Sequence, residues 1–309
     1  MRTCYIQKSN YLLIVFFLFT ITFAYSQTEL NVLKKAYKNQ STEELKNFFD
    51  AWSREISPIT DVELLTYNDT IQQAYKAFIA FYKPHRLDSL GGSEWGNDIY
   101  KNVDFLIVQN KLKIYFTDKI YYTEQEKEEF VINEINRIFS DSASKRLTWL
   151  ERDENGKLSS RAFEYFGIDN RVILKEEKLT DSIMNFRPSV NCNGKLPLFL
   201  TKKYDKILND FLENEHWKLG TGGLMNPARS KGKSAKRKDF LENYIKIFYG
   251  HWGGYWQLYS YPQTYSITFD KDMKYAKINF RIVYEGGYAI LKREGEKWTL
   301  ISSELIWIE

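Results

Sequence analysis

Beyond Gly250 the hydrophobic period of the chain is two, and that alternation constrains the fold more than any other feature. Tyr265, Ile267 and Phe269 alternate with polar residues, and Ala276, Ile278, Phe280, Ile282 and Tyr284 alternate with Lys277, Asn279, Arg281, Val283 and Glu285. Successive strand side chains point to opposite faces, so this pattern predicts strands with one buried face. Glu285-Gly286-Gly287 and Arg293-Glu294-Gly295-Glu296 are expected as hairpin turns, with a last strand from Trp298 to Trp307. An antiparallel meander of this kind needs apolar cover on one side only.

Helical stripes supply candidates for that cover. Ser41-Thr42-Glu43-Glu44 reads as a capping box ahead of Leu45, Phe48, Phe49, Trp52 and Ile56. Ile71, Ala74, Tyr75, Phe78, Ile79 and Tyr82 repeat the spacing until Pro84. Thr201 caps a third stripe, Tyr204, Ile207, Leu208, Phe211 and Leu212. A fourth starts near Ser234 with Phe240, Leu241, Tyr244, Ile245 and Phe248 inward and stops at Gly250. Between them, Val103–Val108 and Leu112–Thr117 read as strands joined in a hairpin by Gln109-Asn110-Lys111. Residues 124–139 suit a helix after an acidic first turn, and 151–180 read as strands joined by polar turns.

Helices laid on antiparallel strands make an α+β layer. The stretch Arg187-Pro188 through Leu196-Pro197, with two prolines and no period, is the candidate boundary between two lobes, 27–187 and 188–309. In element order the second lobe resembles the NTF2-like or cystatin-like architecture, a curved sheet wrapped around a helix; a fold-level likeness carries no function with it.

The first residues predict export. Arg2 and Lys8 precede an uncharged, mostly apolar run over 11–24, shorter than the ~20 residues a membrane-spanning helix takes. Ala24-Tyr25-Ser26 then places small residues where a signal peptidase reads, so 1–26 is expected as a signal peptide cleaved between Ser26 and Gln27. The alternative is an uncleaved N-terminal anchor. Cleavage removes two bases and no acid, lowering the net charge from +4 to +2, which argues against nucleic acid as a partner. Only Cys192 would remain, in the turn-like Asn191-Cys192-Asn193-Gly194, expected as a buried, inert thiol. One Cys with His85, His216 and His251 makes a zinc site require an unusual ligand set, and no cofactor is implied.

Aromatic residues make up 17% of the chain, and the most distinctive segment is Gly250-His251-Trp252-Gly253-Gly254-Tyr255-Trp256. One reading is a ligand-stacking surface, with Trp252, Tyr255 or Trp256 as platforms and His251 as a hydrogen-bonding partner. The other is a helix-to-strand corner where glycines permit the turn and aromatics plug the core. Gly220-Thr221-Gly222-Gly223 followed by Arg229, Lys231, Lys233, Lys236, Arg237 and Lys238 suggests a phosphate or acidic partner, or a solvated loop. It lacks the glycine of a phosphate-binding loop, because Pro227 stands there. Glu285, Glu304 and Glu309 form no evident catalytic pair, and no catalytic residue is assigned.

The Gly250–Trp256 cluster, Tyr284-Glu285-Gly286-Gly287 and the closing Trp307-Ile308-Glu309 together resemble uncharacterised exported proteins of Bacteroidetes, most closely over the last ~100 residues. That resemblance implies location and no activity. The expectation is an exported binding module of the cell envelope, taking a small molecule, a glycan or an envelope protein. The alternative is an envelope hydrolase using His251 with a carboxylate.

Overall fold

The computed structural model describes residues 28–91, 96, 98–120, 122–154, 156–165, 178–213, 233–250 and 256–308. Among them the chain is α+β. Helices α1 (28–39), α2 (Thr42–Glu55), α3 (Asp61–Leu64) and α4 (Asp69–Phe81) come first, followed by β1 (Phe105–Gln109) and β2 (Leu112–Thr117). Helices α5 (Glu124–Ile138), α6 (Ala143–Trp149) and α7 (Ser160–Tyr165) precede β3 (Lys178–Ile183) and β4 (Leu196–Leu200). Helices α8 (Lys202–Leu212) and α9 (Lys233–Leu241) lead to β5 (Phe248–Tyr249), β6 (Trp256–Gln257), β7 (Gln263–Asp270), β8 (Tyr275–Ile282), β9 (Glu285–Glu294) and β10 (Lys297–Ile308). No helix among the described residues is long and apolar enough to cross a membrane.

The expected meander forms one end of a six-stranded sheet, β10-β9-β8-β7-β2-β3. Its far end is antiparallel apart from the parallel β2–β7 seam. The alternation sorts as expected on β8, where Ala276, Ile278, Phe280 and Ile282 are buried and the residues between them half-buried. A bulge between Thr264 and Ser266 breaks the phase on β7, and Tyr265 is turned out to solvent instead of inward.

The helix covering the apolar face is α4. Ala74, Tyr75, Phe78 and Phe81 share a core with Ile278, Phe280, Leu291 and Trp298, and Trp298 Nε1 donates to Gln73 Oε1 at 2.9 Å. The two helices directly before the meander go elsewhere. Tyr204, Ile207, Leu208 and Phe211 of α8 and Phe240 and Leu241 of α9 join α1 and α2 in a second, helical core. There Trp52 and Tyr204 stack at 4.1 Å with planes 5° apart, a contact worth about 0.5–1.5 kcal/mol beyond the area it buries.

β1 and β2 are strands but not a hairpin. β1 pairs in parallel with β4, and β2 pairs with β3 and β7. The turn residues explain the divergence. Asn110 Nδ2 donates to Phe186 O at 3.0 Å, and Gln109 Oε1 accepts from Thr264 N at 2.7 Å, which draws the two strands into different sheets. β1 is buried along its whole length: Phe105 and Ile107 face the helical core, Leu106 and Val108 the sheet core. β4 is divided the same way, with Leu198 and Leu200 on one side and Phe199 on the other. Both cores, and the large sheet, therefore draw on chain from before and after residue 188.

Three local readings are corrected. Residues 160–165 are helical, and within 151–158 the strand character is a single Arg152–Leu158 bridge. α9 ends at Leu241, because the Asn243 side chain donates to Phe240 O at 2.8 Å, and Phe248 belongs to a strand. The β8–β9 connection is Val283-Tyr284, with Ile282 facing Glu285, so Gly286 and Gly287 lie inside β9. Both glycines are there for close approach. A Cβ on Gly286 would stand 1.9 Å from Trp307 Cζ2, and one on Gly287 1.9 Å from the Glu304 carbonyl oxygen.

Candidate functional site

A cavity of about 220 Å³ opens where α8, β6, β7 and β8 meet. Trp256, Gln257, Tyr259, Gln263, Asp205 and Arg281 supply its polar and aromatic lining, over Leu200 and Leu258. Each position follows from local structure. The α8 stripe turns Tyr204, Ile207 and Leu208 into the helical core, which leaves Asp205 on the opposite side of the first turn. Asn209, one turn later, donates to the Asp205 carboxylate at 3.2 Å and to its carbonyl at 2.9 Å. Trp256 stands across from Tyr249 in the β5–β6 pair and meets that ring edge-on at 4.7 Å.

The wall from 257 to 264 is stitched to β1. Ser260 N donates to Ile107 O at 2.8 Å, and Ile107 N returns a bond to Ser260 Oγ at 2.9 Å. Tyr261 N donates to the Tyr100 hydroxyl at 2.7 Å, while the Tyr261 hydroxyl bonds Gln257 Oε1. Arg281 faces Gln263 across the β7–β8 pair. Its Nε donates to Val283 O at 2.5 Å, and its guanidinium stands 5.9 Å from the Trp307 ring centre. Val283 itself is held at φ +49°, a conformation that a β-branched residue adopts only under constraint.

The cavity is electrostatically mixed. Loss of water around the Asp205 carboxyl pushes its pKa up, opposed by the Asn209 hydrogen bond and the Lys111 charge. Burial, and then the Asp205 charge, push the Tyr259 phenol up. Carboxylate, guanidinium, two amides and two flat rings on one opening can accept and donate hydrogen bonds while covering an apolar face.

Of the four ligand candidates from the glycine-aromatic cluster, Trp256 lines this cavity; His251, Trp252 and Tyr255 lie outside the described residues. Asp205 and Arg281 were not singled out by sequence, where one is a polar helix residue and the other the polar phase of a strand. The basic segment divides likewise. Arg229 and Lys231 lie outside the described residues, whereas Arg237 closes the end of α8, donating to Phe211 O at 2.7 Å and pairing with Glu213 at 2.7 Å. Lys238 pairs with Glu242. Glu304 accepts from the Tyr288 hydroxyl at 2.9 Å, and Glu309 is outside the described residues. Cys192 is buried, and burial pushes its thiol up to about 11, the behaviour of an unreactive cysteine. Among the described residues no cluster of three or more His, Cys, Asp or Glu could hold a metal ion. No family model, no curated protein and no solved structure matches the chain.

Proposed function

We propose that this chain is an exported binding module whose cavity takes a small hydroxylated ligand, one sugar ring in size. The observation that carries this reading is Trp256 at a cavity of about 220 Å³ that also presents Asp205, Gln263 and Arg281. That volume lies below the ~300–1,000 Å³ of pockets for drug-sized molecules, so the ligand is small or the end of a longer one. A pyranose has a flat C–H face that suits an indole, and hydroxyls that pair with a carboxylate, amides and a guanidinium.

Thermal-shift titration with monosaccharides, muropeptides and lipids tests it. A sugar should raise the melting temperature of the wild type, and Trp256→Ala should weaken that sugar by about tenfold, equal to ~1.4 kcal/mol. No shift with any sugar, or a shift that Trp256→Ala leaves intact, rejects the reading. The hydrolytic alternative pairs His251, which lies outside the described residues, with a carboxylate, and Asp205 is the carboxylate at the cavity. Release of new reducing ends from a bound glycan, lost in both His251→Ala and Asp205→Asn, would favour it.

A further inference from the structure

We infer that the cavity selects an amino sugar whose amine is free and charged, and that the Asp205 carboxylate makes the selection by pairing with that ammonium. This deepens the sugar-binding reading of the cavity and rests on it. Among the described residues lining the opening, Asp205 is the one carboxylate and Arg281 the one cation. Arg281 is tied into its own sheet: its Nε donates to Val283 O at 2.5 Å, and its guanidinium lies beside the Trp307 ring.

Asp205 is held differently. The lysines beside it on α8 are paired with other acids, Lys203 with Glu29 and Glu55 and Lys206 with Asp210. Among the described residues Asp205 itself forms no salt bridge, and the donor to its carboxylate is the neutral Asn209 amide, which takes Oδ1 at 3.2 Å. A carboxylate offers about four lone-pair positions, so most of them stay open. The residue is exposed, and a ligand can reach it from solvent.

The result is a charge that has lost part of its water and gained no counter-ion. Desolvation is the leading influence on the Asp205 carboxyl, and the Asn209 bond and the Lys111 charge offset it only in part. A ligand ammonium supplies what is missing. It carries three donors and no acceptor, which suits a carboxylate with open lone pairs, and the bonds it makes there are charge-assisted. A uronic acid would meet repulsion at the same point, and an acetylated amine would bring no charge. Trp256 and Tyr259 add aromatic faces, which attract a cation, and Tyr259 stands within the field of the Asp205 charge. Gln263 remains for the sugar hydroxyls.

The test is calorimetric titration of the full chain at about pH 6, where a sugar amine keeps its proton. The ligands are glucosamine and galactosamine, their neutral parents glucose and galactose, their N-acetyl derivatives, glucuronate and ethanolamine. One of the amino sugars is expected to bind about tenfold more tightly than its parent and its N-acetyl derivative. Asp205→Asn, which keeps the side-chain shape, should bring that ratio to about one, with circular dichroism showing an intact fold. Equal affinity for amino and neutral sugars, a preference that survives Asp205→Asn, or glucuronate as the tightest ligand overturns the ammonium assignment. The cavity reading then stands if Trp256→Ala still weakens the neutral sugar. Ethanolamine binding as tightly as the amino sugars overturns the sugar class, and absence of binding by every ligand removes both readings.

Discussion

The two cores of this protein are built on opposite plans. The sheet core is knitted by backbone: α4 lies on strands whose pairing runs from β3 to β10, and tryptophan and glutamine side chains pin the helix at Trp298–Gln73. The helical core is held by side chains. Its rings stack and meet edge-on, and Lys203 on its margin bridges Glu29 at 2.7 Å and Glu55 at 2.8 Å, while Glu55 also accepts from Tyr204 at 2.6 Å. The cavity opens where the two plans abut, with Asp205 from the helical side and Arg281 from the sheet side.

The largest expected effect probes whether the cores stand or fall together. Trp52→Ala in the helical core and Phe280→Ala in the sheet core should each cost about 3–5 kcal/mol, through lost burial and an unfilled cavity. Because β1 and β4 line both cores, urea unfolding of either variant should move circular dichroism and tryptophan fluorescence midpoints together. Separation of the two midpoints in Trp52→Ala would show the helical core melting alone.

A pH experiment singles out the sheet core, where Cys192 is buried and its thiol is raised from 9.0 to about 11. A thiol that keeps its proton longer in the folded state contributes stability that is complete below pH 9. That contribution is lost as pH climbs toward 11, up to about 2–3 kcal/mol. Urea midpoints for wild type and Cys192→Ala should therefore converge between pH 9 and 11; parallel curves would refute the assignment.

Gly286→Ala should cost about 1–3 kcal/mol by forcing the Trp307 ring off β9. Trp307→Ala in the same chain should relieve that cost, whereas it should not relieve Gly287→Ala, whose Cβ meets the Glu304 backbone. Calorimetric melting of the double mutants checks this. The smallest effect belongs to the Lys76–Glu296 pair that joins α4 to the β9–β10 turn. Hydrogen bonds from Lys76 and then Arg293 hold the Glu296 carboxyl at about 2, but the pair is in water. Glu296→Gln should leave the melting temperature within the scatter of neutral surface changes at pH 7. Any contribution Glu296 makes would be present above its ordinary pKa and lost only as pH falls through about 2.

How far the fold is legible from residues alone follows the range of the forces involved. Stripes such as Tyr204, Ile207, Leu208 and Phe211, and the alternation on β8, report burial that is local, and they place helices and strands well. Pairing is not local. Gln109-Asn110-Lys111 looks like a hairpin turn until the partners of its side chains, Thr264 and Phe186, are known. One clue was readable: Phe105–Val108 is continuously apolar while Leu112–Thr117 alternates, and an unbroken run marks a strand covered on both faces. The cavity was legible at Trp256 alone, because an aromatic beside glycines is conspicuous. Asp205 and Arg281 are ordinary polar residues until a helix and a strand 76 positions apart bring them to one opening.

The β1–β4 pair, shared by both cores, also sets a timetable. Its parallel register joins Phe105 to Leu196 and cannot form until the intervening chain exists. The helical core then waits for residues up to Leu258, and the sheet core for residues up to Trp298. A chain emerging N-terminus first has no early stopping point at which half of it is finished. Apolar helices made early must wait for partners far along the chain, so slow closure is a consequence of one two-stranded wall.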